Sequence, residues 1–446
     1  MSLANVIKLY DLFQREGLFG ALQRIYPRLK KMLLRLCFAP LAFPIAMMIK
    51  MISPLVKIRF IRLYSDRIGH YAWNTEYWLC ILDSLADINQ KKIKTFYYTI
   101  AGQPICNKQL HRMWKRAIPI LFFPYLWNEV NRYLTQYGGK TYANDLLKIY
   151  YDKQDLDRWN LLGNIKQCHI HFTEREHRKG QRLMEEMGMP KGTRFICLLG
   201  RDSRYLNVIK PGIDFSYHNH RNVDINHYQK AAKILADKGY YVIRMGKFVQ
   251  DLFDVNHSHI IDYANSPFRS DFLDIYLSAH CFFFMSVGTG IESTAQIFRR
   301  PVLITNFTLH DFGILPDWKI LITKKLFDTK NNKILSFKEM FELYTICANR
   351  DVLKILNMTH ENSLKYIENT EDEIVDAVCE MEKRLIGDWQ YSEEDELLQR
   401  KFWKIFPSEE IDSMPQLKLP LFKYGNLENH LRIGAAFLKK NMVLLD

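Results

Sequence analysis

Four short apolar runs, separated by stretches of helical periodicity, constrain the second half of this chain more than any other feature. They read RFICLLG (194–200), YYVIRM (240–245), FFFMS (282–286) and PVLITN (301–306). Strands covered on both faces are apolar at nearly every position rather than at every second one, as in a parallel sheet with helices on each side. Between the runs the helical spacing returns. Tyr228, Ala231, Ala232 and Leu235 share one face, and Phe272, Ile275, Tyr276 and Ala279 share another. A shorter run at 260–263 supplies one more strand. Strand and helix alternating with short connections predict a doubly wound parallel sheet, with 301–306 as its last strand.

The first half reads as α/β too. KIRFIRLY (57–64) leads through SDRIGH into a helix over 74–83, the opening of a βα unit. Strands are expected at 93–99 and 118–123, with weaker ones at 147–151 and 169–172, and a helix at 108–115. Thr173 followed three residues later by Glu176 is a capping-box signature, and the helix it starts should end before Gly188. The MPKGT hinge places a domain boundary near Pro190. Beyond residue 330 the chain turns helical, with Ile374, Val378, Met381 and Leu385 on one stripe. The final 40 residues read as an extended tail docked on the body. With 446 residues there is more chain than one core needs. The expected division is 1–57, 58–190, 191–345 and a helical tail, 346–446.

Net charge is +13, and the first 70 residues hold twelve Lys and Arg against three acids. A basic end on a near-neutral body points to an anionic surface and not to nucleic acid. The same region contains LCFAPLAFPIAMMI (36–49), fourteen residues flanked by Lys30, Lys31, Arg35 and Lys50. That is too short to span a hydrocarbon core, and Pro40 and Pro44 should interrupt a helix. The expectation is a peripheral contact with an anionic membrane, the plain alternative being a buried segment with basic flanks. Eight cysteines without a CxxC pair suit a reducing compartment.

The chemistry-bearing feature is SVGTGIES (286–293). A buried strand ends, Gly288, Thr289 and Gly290 turn tightly, and a helix starts, so bare amides face whatever sits there. That suits a phosphate or diphosphate, with Glu292 placed to meet a ribose. An ordinary βα turn reads the same way when it stands alone. Arg201, Arg221 and Arg244 lie after or near the ends of the neighbouring strands, where guanidinium groups bind phosphate oxygens in a bidentate manner. Arg244, inside an apolar strand, must otherwise be paired, for instance in a structural ion pair. Asp66 and His70 stand at the mouth of the first βα loop, where His70 suits a general base and Asp66 an orienting acid or the base itself. Three His-x-His pairs (169/171, 218/220, 257/259) lack accompanying ligands at metal spacing, so no metal and no cofactor are expected.

Four segments in this order carry a resemblance: RIGHYAWNTE, FICLLGRDSRYLN, HNHRNVDINHYQKAAKILADKGYYVIRMG and SDFLDIYLSAHCFFFMSVGTGIESTAQIFRRPVLITN. Together they resemble a family of bacterial glycosyltransferases found in surface-polysaccharide gene clusters, over roughly residues 58–310. The resemblance implies the GT-B architecture of two Rossmann-like domains. It puts the nucleotide-sugar donor on the C-terminal domain and a glycan or lipid-linked acceptor on the N-terminal one, without a metal. Arg201, Arg221, Arg244, Gly288, Thr289, Gly290 and Glu292 fall in its donor-side motifs and His70 in its acceptor-side loop. With the basic, apolar N-terminal segment, the expectation is a cytoplasmic protein, peripheral on the inner face of the membrane. A nucleotide-sugar epimerase on the same fold, or a non-catalytic membrane or polysaccharide-assembly protein, are the competing expectations. The first would turn over donor alone, and the second would not bind it.

Overall fold

The computed structural model describes residues 26, 29–30, 32–84, 93–137, 161–165, 167–309, 320–348, 363–390, 392–406 and 431–446, excepting the side chains of 344–348. The chain forms a mixed α/β structure with parallel sheets that gathers into two compact units. One comprises Met1–Asp66, Leu85–Pro104 and Lys115–Asp152, the other Arg67–Ser84, Ile105–Trp114 and Lys153–Asp446.

In the first unit β1 (Lys57–Leu63) pairs in parallel with β2 (Ile93–Thr99), in register from Lys57 opposite Ile93 to Leu63 opposite Thr99. The expected strand at 118–123 makes a single parallel bridge, Ile120 to Tyr97. Pro119 has no N–H to give a ladder, and Pro124 already begins the helix Pro124–Tyr137, so pairing stops after one residue. The weaker strand expected at 147–151 lies outside the described residues, and 169–172 forms no strand.

Against this sheet packs a helix that the sequence reading interrupted. Met32–Ile52 is one helix of 21 residues, by length and composition enough to cross a membrane. Ala42, Ala46 and Ile49 are buried at helical spacing against Phe60, Tyr98, Leu126 and Val130, with Phe38 and Ile45 alongside. Pro40 and Pro44 both lie on the exposed side. Each proline removes one intrahelical hydrogen bond. The carbonyls so released fall on the outward side, and the packed stripe is undisturbed.

The second unit is built on a seven-stranded sheet ordered β12-β8-β7-β6-β3-β4-β5, every pair parallel. Its strands are β3 (Phe195–Leu198), β4 (Tyr241–Arg244), β5 (Ile260–Ile261), β6 (Phe284–Ser286), β7 (Val302–Phe307), β8 (Ile320–Thr323) and β12 (Arg432–Ile433). β3, β4, β6, β7 and β8 are buried along their whole length, as continuous apolar runs require. Helices Gln229–Asp237 and Asp271–His280 stand where their spacing placed them, and Ser270 caps the second by accepting from the Leu273 amide. The sheet does not end at β7. β8 extends it, and residues expected as a tail supply β12 at its edge.

Past β8 the chain is not purely helical. β9 (Lys325–Asp328), β10 (Lys333–Ile334) and β11 (Leu364–Ile367) make a small antiparallel sheet before helices Glu371–Ile386 and Glu393–Ile405. The helix Glu174–Glu186 carries the expected capping box, and the chain leaves it through Gly188 at φ +86°.

Candidate functional site

Omitting β12, the parallel order is 8-7-6-3-4-5. From β3 the chain winds outward to β4 and β5; from β6 it winds the other way to β7 and β8. Connections that depart in opposite directions leave a crevice beyond the carboxyl ends of the two central strands, where ligands of doubly wound sheets bind. β3 and β6 are those strands, and the Leu199 amide donates to the Met285 carbonyl at 2.9 Å. The loop after β3 begins with Leu199-Gly200-Arg201, and the loop after β6 is Val287–Ile291. The crevice therefore lies between Arg201 and the glycine turn, two features that sequence alone could not place side by side.

The turn itself is tightly built. Gly288 sits at φ +74°, a conformation glycine adopts without strain. Gly290 meets the loop after β1 backbone to backbone: a Cβ on Gly69 would stand 2.8 Å from the Gly290 Cα. His70 is thus carried next to the turn. Glu292 faces inward. Its Oε2 accepts from Ser286 Oγ and Thr289 Oγ1, both at 2.7 Å, and the side chain is buried. Burial pushes its carboxyl up to about 7, against the pull of those two hydroxyls. Glu292 braces the turn, and Thr289 is bound to that brace. The helix that follows, Glu292–Ile297, has six residues, too few for a long helix dipole, and the Thr289 and Glu292 amides are turned to the Glu292 carboxylate.

The three arginines differ in their surroundings. Arg201 reaches over the next connection, its Nη1 donating to the His218 carbonyl at 3.0 Å and to Asn222 Oδ1. Arg221 is half-buried in the same connection, in the 3₁₀ segment Ser216–Arg221. Arg244 is buried at the end of β4, its Nη1 3.2 Å from Asp262 Oδ1 and its Nη2 donating to the Asp251 carbonyl at 3.1 Å. β4 is two strands from β6, about 10 Å away. The sequence pattern could not name Asp262 as the partner, because it comes from the end of the adjacent β5. Arg201 follows a central strand and is held by the connection it starts, whereas Arg244 is held in an ion pair with Asp262.

His70 begins a single π turn, His70–Asn74, that leads into helix Thr75–Ser84, and its Nδ1 lies 3.4 Å from Asn74 Oδ1. Asp66 is partly buried in the turn after β1 and belongs to the first unit.

One cation at this end of the sheet escaped sequence reading. Lys324 directly follows β8, is buried, and donates to the Asn222 carbonyl at 2.7 Å, with Glu368 Oε1 at 3.7 Å. Burial lowers its pKa; Glu368 opposes that, and the nearby Arg201 charge adds to it. Its only sequence signal is a lysine directly after an apolar run, ILITK.

Among the described residues Glu76, Cys80 and His169 have ligand atoms within 4.8 Å of one another. The position a metal would take is already served by Arg299, whose Nη2 lies 2.8 Å from Glu76 Oε1 and 3.7 Å from Cys80 Sγ. His169 adds a second cation, its Nδ1 3.1 Å from Glu76 and its Nε2 2.9 Å from Asp83. These groups form a partly buried ion-pair network, and a divalent cation there would face the Arg299 guanidinium.

No family model matches the chain, and no curated protein does. Solved structures give remote likenesses. A glycosyl transferase family 9 protein from Veillonella parvula DSM 2008 shares 10% identity over 56% of this chain and 80% of its own, with a TM-score of 0.35. The E. coli ADP-heptose lps heptosyltransferase II shares 12% over 55% and 84%, with a TM-score of 0.33. E. coli heptosyltransferase WaaC with ADP shares 12% over 66% and 99%, with a TM-score of 0.30. At such scores the functional reading rests on the residues themselves.

Proposed function

We propose that the chain is a glycosyltransferase that takes a nucleotide-sugar at the crevice between β3 and β6. The observation that carries this reading is the coincidence of three things at one topological switch point: the Gly288–Gly290 turn after β6, Arg201 in the loop after β3, and the Gly69–His70 loop packed against that turn. In this reading residues 191–345 hold the donor and residues 58–190 serve the acceptor, a glycan or lipid-linked glycan of a bacterial surface polysaccharide. The turn amides and Arg201 receive the diphosphate, and Arg221 and Lys324 add positive charge to the same end of the sheet. Arg244 orders the neighbouring loop through Asp262.

An acceptor hydroxyl attacks the anomeric carbon. A bond forms from its oxygen to that carbon, the bond from carbon to diphosphate oxygen breaks, and the electron pair leaves on the diphosphate. The hydroxyl proton passes to His70. With Nδ1–H directed at Asn74 Oδ1, the lone pair is on Nε2. Asp66 is the alternative base.

We further propose that the protein docks on the cytoplasmic face of a membrane through Met32–Ile52. The helix is apolar on its outer side and is already packed on the first unit's own core, so it lies along the surface instead of crossing.

The test is donor binding followed by turnover. One or more nucleotide-sugars should raise the Tm of the wild type and much less that of Arg201→Ala. With a glycan acceptor, His70→Ala should lower kcat by about 100-fold or more, leaving donor binding intact. Donor turnover at equal rate without any acceptor would favour an epimerase. No thermal response to any nucleotide diphosphate would remove the proposal.

A further inference from the structure

The helix Glu174–Glu186 carries Arg175, Arg178, Lys179 and Arg182. At 100° per residue these four fall within an arc of about 100°, one face of the helix. The opposite side is pinned: a Cβ on Gly180 would stand 2.3 Å from the Tyr276 ring, so the helix lies hard against Asp271–His280 and turns its basic face outward. Arg112, from the helix Lys108–Ala117, joins them. These five cations wall a cavity of about 650 Å³, closed at its apolar end by Phe272, over whose ring the Lys179 ammonium sits at 4.6 Å.

Among the described residues the wall holds one acid, which offsets one of the five charges. Glu176 is engaged by the capping box, accepting from the Thr173 amide at 2.8 Å, and by Gln109 Nε2 at 2.6 Å. Arg182 pairs with Glu186 at 3.4 Å across exposed surface. Among the described residues Arg112, Arg175 and Arg178 have no acidic partner. Five cations gathered round a concavity with one carboxylate in its wall leave a net positive charge, and such a place concentrates anions.

We propose that this cavity binds a small oligoanion, a molecule carrying two or more phosphate or carboxylate groups. From Arg175 to Arg182 the row runs about 10 Å along the helix, longer than one phosphate can engage. The volume is that of a small-molecule site. Among the described residues Phe272 is the only aromatic side chain lining it and is buried, which does not make the stacking platform of a single-stranded nucleic acid. The site uses none of the residues assigned above to the donor, so the proposal stands apart from the transferase reading.

Binding is measured by calorimetry on the full chain with two probes, inorganic tripolyphosphate and a glucuronate-containing oligosaccharide. The variants are Arg112→Gln with Arg178→Gln, the charge reversal Arg178→Glu, and Arg201→Ala. Arg112 and Arg178 are exposed, so Tm should hold and serves as the folding control. At least one probe should bind saturably, weaken as sodium chloride is raised, and lose about tenfold or more in affinity in the double variant and in the charge reversal, but not in Arg201→Ala. Loss with tripolyphosphate alone identifies a phosphate ligand, and loss with the oligosaccharide an acidic glycan; either supports the site. Three results overturn it: no saturable binding of either probe, binding insensitive to salt, or binding abolished by Arg201→Ala and retained in the double variant. The last would leave the donor reading standing.

Discussion

Gly69 and Gly290 come from loops far apart in the chain, yet neither has room for a methyl group. A Cβ on Gly290 would stand 3.1 Å from the Gly69 amide nitrogen, a backbone atom that cannot swing aside. Gly290→Ala should therefore force the two loops apart, lowering stability by about 1–3 kcal/mol in urea unfolding and reducing the nucleotide-induced rise in Tm. Glu292 gives a pH signature at the same turn. Its folded carboxyl is pushed up to about 7 from the ordinary 4.5, so the folded chain holds this proton over a range where the unfolded chain has lost it. The contribution is present in full below about pH 4.5 and is lost as pH rises through 7. Wild-type stability should fall across that window, and Glu292→Gln should flatten the fall in urea titrations at pH 4.5, 6 and 8. The glycines of this turn were legible because only that residue type adopts such a bend and permits such an approach. The inward direction of Glu292 was not, because a helix-start glutamate reads the same whether it faces a ligand or braces its own loop.

Helix starts with reciprocal caps were the most legible elements. Thr173 and Glu176 form a box whose partners lie three residues apart, so no tertiary information is needed to see it, and Thr370 with Glu373 repeats the device. The helix Met32–Ile52 shows the limit of such local rules. Proline's cost is local, but whether it breaks a helix depends on what the remaining side chains pack against, and Ala42, Ala46 and Ile49 pack on a sheet outside their own segment. The outer face leaves Leu36, Leu41, Met48 and Met51 more than half exposed. Replacing Leu36, Met48 and Met51 together by serine should leave Tm nearly unchanged and sharply reduce co-sedimentation with anionic vesicles. Unchanged co-sedimentation would remove this helix as the membrane contact. Ala46→Asp, on the packed side, should instead lower Tm.

Across the whole molecule, the seven-stranded sheet was readable up to β7 because its strands and helices follow one another closely and each strand is apolar throughout. Its closing strands were not. β8 follows a stretch without helical or strand periodicity, and β12 is two residues long, invisible to any pattern of alternation. The charge asymmetry did register, since it needs only counting.

β12 carries a consequence for how the protein is made. Arg432 and Ile433 lie beside Ile320 and Leu321, and the Gly434 amide donates to the Leu321 carbonyl at 2.9 Å. That segment is translated long after β8, so for part of synthesis the flank of an apolar strand is open to pairing with any neighbouring nascent chain. Stopping translation before Leu431 should yield insoluble material at expression levels where the full chain stays in solution, measured by fractionation after induction. A carrier fused at that end, or a holdase present during growth, would then govern yield more strongly than any change in the crevice between β3 and β6.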